Sequence, residues 1–187
     1  MTKITSKTDE DIVSLIISGD TELFGEIMQR YETKLIRYVT YLIHNDASAI
    51  DVVQETFIKS YKNLKGFNAK YKFSSWIYRI AHNEAMNAVK RDKHIVNDID
   101  VEEISESSYE TSTIQEIDQK ILQGDVKACL DGLEIKYREV LMLLYYENMK
   151  YNEIADVLHI PASTVGVWAS RGKAMLKKIC EKKGLKR

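Results

Sequence analysis

Proline occurs once in this chain of 187 residues, at Pro161, and glycine occurs only 8 times. Tight turns between β-strands rely heavily on these two residues, so the chain has few of the residues that the turns of a β-sheet need. Apolar residues instead recur at spacings of three and four over long stretches, which is the period of an amphipathic helix. The sequence therefore predicts an all-α fold.

Residues 70–93 form the clearest helical stretch. Its core-facing stripe is apolar and contains Phe73, Ile77, Ile80, Ala81, Ala85 and Ala88. Its second face carries an aromatic ring, amides and cations, namely Trp76, Arg79, Asn83, Asn87 and Lys90. Cations neutralise phosphates, amides read base edges and an aromatic ring stacks on an unpaired base, so this face suits nucleic acid. A solvated helix with one half-buried tryptophan explains the same pattern.

Three helices are predicted before this stretch, at residues 9–18, at about 21–44 and at 47–64. The third helix has an apolar edge that contains Ile50, Val53, Phe57, Tyr61 and Leu64. Beside this edge runs a polar strip with one exposed aliphatic residue, formed by Asp51, Gln54, Glu55 and Ile58. Four helices with short connections predict a compact bundle, assigned to residues 1–95.

Charge divides the chain into two basic ends and an acidic middle. Residues 1–97 hold 14 Lys and Arg against 12 Asp and Glu, residues 98–118 hold none against 8, and residues 119–187 hold 13 against 8. The stretch 96–117 has no sustained period and is rich in Ser and Glu, which predicts a flexible linker between two domains. Two basic modules around an acidic connector fit a polyanionic partner, although acidic residues also serve simply to keep a linker soluble.

The second domain, assigned to residues 118–187, is predicted to begin with helices at residues 118–130 and 135–146. A short helix, a turn at residues 159–162 and a longer helix from Ser163 then have the spacing of a helix-turn-helix. The longer helix has a core stripe of Val165, Ala169, Gly172 and Leu176. Helical hairpins with no DNA role share this pattern, so the motif alone is only moderately specific.

Several functional classes are excluded by what the chain lacks. No apolar run approaches the roughly 18 residues of a membrane span, and the N-terminus lacks the apolar core of a signal peptide, so a cytoplasmic protein without membrane insertion is predicted. Cys129 and Cys180 have no partner at metal-ligand spacing, which predicts two buried thiols and no metal site. The four histidines are scattered and no nucleophile pattern or phosphate loop is present, so no catalytic residue and no enzyme activity are predicted.

Three blocks of sequence together resemble a known family. DVVQETFIKSYKNLKGF and FSSWIYRIAHNEAMNAVKRD are followed by the acidic linker and then by LEIKYREVLMLLYYENMKYNEIADVLHIPASTVGVWASRGKAMLKK. This order resembles a bacterial sigma factor of the sigma-70 superfamily, in its small extracytoplasmic-function group. The resemblance covers nearly the whole chain apart from the first few residues and the linker.

The resemblance implies a role for each block. The first block docks on RNA polymerase in the family, which implies contacts from Ile50, Asp51, Gln54, Glu55 and Ile58. The second recognises and opens the minus-ten promoter element, which implies contacts from Asn68, Lys70, Lys72, Trp76, Arg79, Asn83, Asn87, Lys90 and Arg91. The helix-turn-helix reads the minus-thirty-five element, which implies contacts from Ser163, Thr164, Val167, Ser170, Arg171, Lys173, Lys177 and Lys178. The implied partners are core RNA polymerase, promoter DNA and an anti-sigma factor, and no cofactor is implied.

The recognition helix departs from the family's usual pattern. Family members commonly carry Lys and Arg at the positions of Gly166 and Trp168, so fewer charged side chains enter the groove here. Val167 suits contact with thymine methyl groups, and only Arg171 offers a bidentate contact to guanine. The alternative function is a helix-turn-helix regulator that binds duplex promoter DNA without polymerase, but such a protein has no use for the first block.

Overall fold

The computed structural model describes residues 7–43, 45–97 and 124–184. These residues contain no β-strand, and they form the α-helices α1 (Asp9–Ser18), α2 (Phe24–Ile43), α3 (Asp46–Asn63), α4 (Phe73–Asn97), α5 (Gly124–Asp131), α6 (Ile135–Tyr145), α7 (Tyr151–Leu158) and α8 (Ala162–Lys182). The predicted all-α class with two helical domains is confirmed. Most of the predicted linker, including its boundary with the second domain, lies outside the described residues.

Local sequence sets where α1 begins and ends. The Thr8 side chain accepts a hydrogen bond from the backbone N–H of Asp11, and the Asp11 carboxylate accepts one in return from the N–H of Thr8. At the other end Gly19 adopts a φ of 129°, a left-handed conformation that costs glycine little. The helix bounds therefore agree with the predicted residues 9–18.

Helices α1 to α4 form the N-terminal bundle around a core of aliphatic and aromatic side chains. Ile12, Ile27, Leu35 and Ile77 are fully buried there. The Tyr31 ring meets Phe73 edge to face, with ring centroids 5.7 Å apart. Helix α4 continues to Asn97, beyond its predicted end near residue 93, because no glycine or proline interrupts it there.

Helices α5 to α8 form the C-terminal domain, in which α7 and α8 are the predicted helix-turn-helix. His159 ends α7 in the left-handed conformation at φ 53°, and Pro161 immediately precedes α8. Gly172 allows the close approach of α6, because a Cβ at this position would lie 3.3 Å from side-chain atoms of Leu141 and Tyr137. The tight packing expected of this motif is therefore present.

The prediction of two separate buried thiols is wrong. Cys129 of α5 and Cys180 of α8 form a disulfide, with their Cα atoms 5.5 Å apart. The end of α8 lies against α5, where the Lys183 ammonium also donates a hydrogen bond of 2.9 Å to the Ala128 carbonyl. No local sequence motif predicts the disulfide, because the two cysteines are 51 residues apart in the sequence.

The two domains pack directly against each other. Helix α7 lies on α4 and helix α6 lies near α2. One continuous apolar cluster joins residues of the N-terminal core to buried residues of the C-terminal domain, among them Val140, Leu143, Ile154 and Val157. This contact was not predicted from the sequence, and it places the first helix of the helix-turn-helix on the proposed DNA-facing helix.

Candidate functional site

An apolar groove of about 560 Å³ runs between α2 and α3. The exposed fractions of its large apolar side chains are high, at 40% for Met28, 41% for Ile50, 46% for Ile58 and 45% for Tyr61. Buried Phe24 supports the groove from below, with its ring centroid 4.9 Å from that of Tyr61. Exposed apolar patches of this kind mark surfaces that bind another protein.

The groove lies along the predicted apolar edge of α3. Ile50 and Tyr61 of this edge are exposed, because no other element among the described residues covers that side of α2 and α3. Of the predicted polymerase-binding residues, Ile50, Gln54 and Ile58 line the groove. Met28 and Tyr61, which the sequence analysis did not select, line it as well. Met28 could have been identified as a groove residue from the sequence, because it is an apolar residue on the outer side of α2.

Asp51 and Glu55, the other two predicted polymerase-binding residues, lie on a different side of α3. They line a charged notch between α3 and α4 together with Lys59, Glu84 and Arg91. Lys59 bridges the two helices, with its ammonium 2.7 Å from Glu84 and 3.5 Å from Glu55. Its hydrogen bond to Glu84 raises the pKa of Lys59 above the usual value. The five predicted residues therefore form two neighbouring surfaces.

The loop before α4 is held in a defined conformation. The side-chain oxygen of Asn68 accepts a hydrogen bond of 3.0 Å from the backbone N–H of Lys70, a turn that asparagine favours. At the end of the loop, the N–H of Phe73 donates a 2.9 Å bond to the Glu10 carboxylate of α1. Lys70 and Lys72 remain exposed between these two anchors.

Trp76 is half-buried beside this loop. Its ring lies 5.5 Å from that of Phe67 and 5.6 Å from that of Phe73, measured between centroids. One side of the indole therefore packs on the bundle while the rest stays accessible. This half-buried position is compatible with both explanations of Trp76, as a ring that stacks on an unpaired base and as a tryptophan that only packs on the bundle.

The remaining predicted minus-ten residues lie along α4 but differ in accessibility. Asn83, Asn87 and Lys90 are exposed and share one face of the helix. Arg91 is exposed at the charged notch. Arg79 is half-buried and lines a cavity of about 400 Å³ opposite α7, together with Tyr71, Ala155, Asp156, His159 and Ile160. The Nε of Arg79 has no hydrogen-bond partner in the described part of the chain.

A buried carboxylate joins the two domains at the contact between them. Glu139 of α6 is only 4% exposed, and it accepts a hydrogen bond from the Tyr38 hydroxyl of α2. The Nδ1 atom of His82 on α4 lies 2.6 Å from the same carboxylate. Burial, followed by the charge of Glu139, raises the pKa of Tyr38 well above the usual tyrosine value. A buried carboxylate needs such partners, because burying it unpaired is costly.

Two ion pairs accompany this carboxylate. The Arg37 guanidinium of α2 lies 2.7 Å from Glu147, and both side chains are largely buried. At the edge of the contact, the Lys72 ammonium lies 3.8 Å from Glu153 of α7. Lys72 is therefore both a predicted DNA-contacting residue and a partner of the other domain.

The exposed face of the recognition helix α8 contains most of the predicted minus-thirty-five residues. Ser163, Val167, Ser170, Arg171, Lys173, Lys177 and Lys178 are exposed, whereas Thr164 is half-buried. Trp168 packs at the border of the core. Two exposed tyrosines beside this face, Tyr145 and Tyr151, were not selected from the sequence.

Comparisons with known proteins match both domains. The family description Sigma-70 region 2 matches residues 27–95, and Sigma-70 region 4 matches residues 123–176. The ECF RNA polymerase sigma factor SigW of Bacillus subtilis is 30% identical over 185 residues, covering 89% of this chain and 93% of the relative. The chain belongs to the sigma-70 family, in its extracytoplasmic-function (ECF) group. The RNA polymerase sigma-H factor of Pseudomonas aeruginosa is 29% identical, covering 87% of this chain and 88% of the relative.

Solved structures share the sigma-factor fold. CnrH in complex with the cytosolic domain of CnrY has a TM-score of 0.68 at 20% identity, covering 94% of this chain and 99% of that chain. The sigma factor RpoE from Bartonella quintana, in complex with the anti-sigma factor NepR, has a TM-score of 0.67 at 20% identity, covering 84% of this chain and 96% of that chain. At this identity the similarity shows the fold.

The described residues of this sigma factor show surfaces for binding. They hold no group of three or more His, Cys, Asp or Glu that could ligate a metal ion. None of the described helices is both long enough and apolar enough to cross a membrane. The site consists of an apolar groove, a charged notch, a face of α4 with aromatic, amide and cationic side chains, and a face of α8 with hydroxyl and cationic side chains.

Proposed function

We propose that this sigma factor binds core RNA polymerase through the N-terminal bundle, directs it to promoters and opens the promoter DNA. The observation that carries the proposal is the exposed apolar groove between α2 and α3. A regulator that bound duplex DNA alone would have no use for this groove, which lies on a different side of the bundle from the DNA-facing residues of α4.

Polymerase docking is assigned to the groove and the adjoining notch. Ile50 and Ile58 would bury apolar surface against the enzyme, and Gln54 would hydrogen-bond at the border. Asp51 and Glu55 in the notch would meet basic groups, because both carboxylates lie at the surface of α3. In this division the groove would supply most of the affinity for polymerase, and the notch would set the orientation in which polymerase binds.

Promoter opening is assigned to the loop and face of α4. Extruding a base costs a few kcal/mol, and stacking it on an aromatic ring returns about 1–3 kcal/mol. Trp76 would stack at the point of strand separation, with Asn68, Lys70 and Lys72 around a flipped base. Arg79, Asn83, Asn87, Lys90 and Arg91 would hold the separated strand by contacts to phosphates and bases.

The minus-thirty-five element is assigned to α8. Ser163, Thr164, Val167, Ser170 and Arg171 would enter the major groove, since recognition helices contact base edges near their N-terminal end. Lys173, Lys177 and Lys178 lie further along the helix, where their ammonium groups would neutralise phosphates. With one arginine on this face, the promoter sequence read here would differ from that of relatives with a more basic helix.

Both DNA faces can act together only if the domains separate. The two promoter elements lie about 25 base pairs apart, or about 85 Å at roughly 3.4 Å per base pair. In the structure α7 packs directly on α4, and Lys72 and Arg79 face the C-terminal domain. Polymerase binding would therefore have to replace the contact between domains with two separated docking sites.

An anti-sigma factor is a further proposed partner. Similar chains have been solved in complexes with the cytosolic domain of CnrY and with the anti-sigma factor NepR. A protein that covered the groove and held the two domains together would block polymerase and DNA at once. The sigma factor itself would act in the cytoplasm, without a cofactor and without catalysing a reaction of its own.

The decisive experiment reconstitutes the protein with core RNA polymerase and sequences the transcript starts on genomic DNA. Specific starts are expected with the sigma factor present and none with the core enzyme alone. Gel shifts with and without core enzyme distinguish the alternative, because a polymerase-independent regulator would bind the duplex equally well in both. Absence of any specific start would contradict the proposal.

A further inference from the structure

Two exposed tyrosines lie beside the recognition helix. Tyr145 ends α6 with 53% of its surface exposed, and Tyr151 begins α7 with 41% exposed. The Lys173 ammonium of α8 lies 5.0 Å from the centroid of the Tyr145 ring. A hydrogen bond to Tyr145 and the nearby Tyr151 together raise the pKa of Lys173. Tyr145, the Lys173 ammonium on its ring, and Tyr151, whose ring lies over α8 at Gly166, are called here the tyrosine cluster.

One of these rings packs on α8 at Gly166. A Cβ at this position would lie 3.4 Å from Cε2 and 3.7 Å from Cδ2 of Tyr151, so the ring lies over α8 at the glycine. The Tyr151 ring is therefore in ordinary van der Waals contact with this part of α8.

The position of Tyr151 in the motif indicates what its hydroxyl meets. In a helix-turn-helix the first helix crosses the DNA backbone while the second enters the major groove. Tyr151 is the first residue of that first helix, and its ring packs against the side of the second. Its hydroxyl would consequently lie at the phosphates that flank the groove. Tyrosine is one of the side chains that hydrogen-bonds DNA phosphates.

The charge distribution of α8 adds a reason for such a contact. The helix carries no Lys or Arg between its start at Ala162 and Ser170, and the first cation is Arg171. The first turns of the helix, before Arg171, therefore offer no cation to the neighbouring backbone. Uncharged donors beside the helix would supply the missing phosphate contacts.

We propose that the tyrosine cluster binds the DNA backbone beside the minus-thirty-five element, with Tyr145 and Tyr151 donating hydrogen bonds to phosphates and Lys173 neutralising one of them. Base reading stays with α8. The inference rests on the proposed function, since it places the minus-thirty-five element at this motif. It adds a positioning role for two residues and predicts that these contacts carry little sequence preference.

The test uses holoenzyme and a promoter fragment from which it has been shown to start transcription. Tyr151→Phe keeps the ring over Gly166 and removes only the hydroxyl. It should weaken binding to the minus-thirty-five part of the fragment by about ten- to 100-fold, the range for one hydrogen bond to a charged group, without changing the preferred bases. Tyr145→Phe should behave in the same way. Lys173→Ala should lower the slope of log affinity against log salt by about one.

Methylphosphonate substitution locates the contact. Each phosphate beside the element is replaced in turn, and a replacement far from both elements is the matched control. At the contacted phosphate the loss from Tyr151→Phe should disappear, because variant and substitution remove the same bond. The inference would be overturned if Tyr151→Phe bound like the wild type, if its loss of affinity persisted at every substituted phosphate, or if its base preference changed. Absence of any transcript start from the holoenzyme would instead reject the proposed function on which it rests.

Discussion

The N-terminal bundle has two functional faces, and the structure treats them differently. The groove between α2 and α3 is open, with Ile58 and Tyr61 nearly half exposed. The face of α4 beside Trp76 is partly covered by α7, with Lys72 paired to Glu153 across the contact. Polymerase can therefore reach its proposed surface while the domains are packed together, but promoter DNA cannot engage all of α4.

This difference implies an order of events. On the proposed function, docking at the open groove would come first, and separation of the domains would then expose α4 for DNA. The contact between the domains must be stable enough to persist in the free protein and weak enough for polymerase to break. Its mixture of apolar packing with buried polar groups around Glu139 fits that requirement, because each buried polar group depends on a partner that leaves when the domains separate.

The largest expected effect concerns the open groove. Ile58→Asp places a charge in the proposed polymerase interface and should weaken core binding by about 3 kcal/mol, or roughly 100-fold, because the carboxylate would be buried without a partner. Binding of labelled sigma factor to core enzyme measures this loss.

Ile17→Asp is the matched control, since Ile17 is 42% exposed on α1 and does not line the groove. It should bind core enzyme like the wild type. Similar losses for both variants, or no loss for Ile58→Asp, would show that the groove is not the docking surface.

The next effect concerns the covered face. Tyr38→Phe removes the hydroxyl that donates to Glu139 and should shift the equilibrium toward separated domains by about 2 kcal/mol, the magnitude for a hydrogen bond to a charged group. Energy transfer between fluorophores on α3 and α8 reports the distance between domains and should fall in the variant.

Tyr31→Phe provides the matched control for this change. Tyr31 is also buried and donates a 2.5 Å hydrogen bond to Asp9, but both residues belong to the N-terminal bundle. Its loss should lower the stability of the bundle and leave the transfer efficiency of the folded protein unchanged. An equal drop in transfer for both variants would mean that the Glu139 contact has no special part in closure.

Sequence reasoning succeeded where the governing interactions are local. The bounds of α1 follow from Thr8 and Gly19, and the helix-turn-helix follows from apolar spacing around Pro161. These signals depend on residues within one or two turns of each other. The polar and cationic residues on the proposed DNA faces of α4 and α8 could be predicted in the same way, because their helical spacing is visible in the sequence.

Interactions between distant residues were not predictable. Tyr38 and Glu139 are 101 residues apart, and nothing near Glu139 indicates that its carboxylate will be buried. Cys129 and Cys180 meet only because α5 packs on the end of α8. Ile50 and Tyr61 have the spacing of a buried edge, and only the absence of a covering element among the described residues makes that edge a groove.

A smaller effect tests whether Trp76 stacks on an extruded base or mainly supports α4. Trp76→Ala should reduce promoter opening by about 1.5 kcal/mol, roughly tenfold, because a stacking surface for the extruded base is lost. Permanganate reactivity of unpaired thymines measures opening, and footprinting of the closed complex measures binding. Trp76→Phe keeps an aromatic ring and should restore most of the opening. Equal losses in both assays would mean that the indole mainly supports α4 through Phe67 and Phe73.

The smallest effect concerns Lys72, which takes part in the contact between the domains and is also a predicted DNA contact. Its side chain is 66% exposed and its ammonium lies 3.8 Å from Glu153, so the ion pair is screened by water and should contribute less than about 1 kcal/mol to closure. Lys72→Ala should therefore leave energy transfer between the domains nearly unchanged. If Lys72 binds the promoter after the domains separate, the same variant should lower the slope of log promoter affinity against log salt by about one. Glu153→Gln is the matched control, because it breaks the same ion pair without removing a phosphate contact and should leave that slope unaltered. A change in closure without a change in slope would assign Lys72 to the domain contact alone.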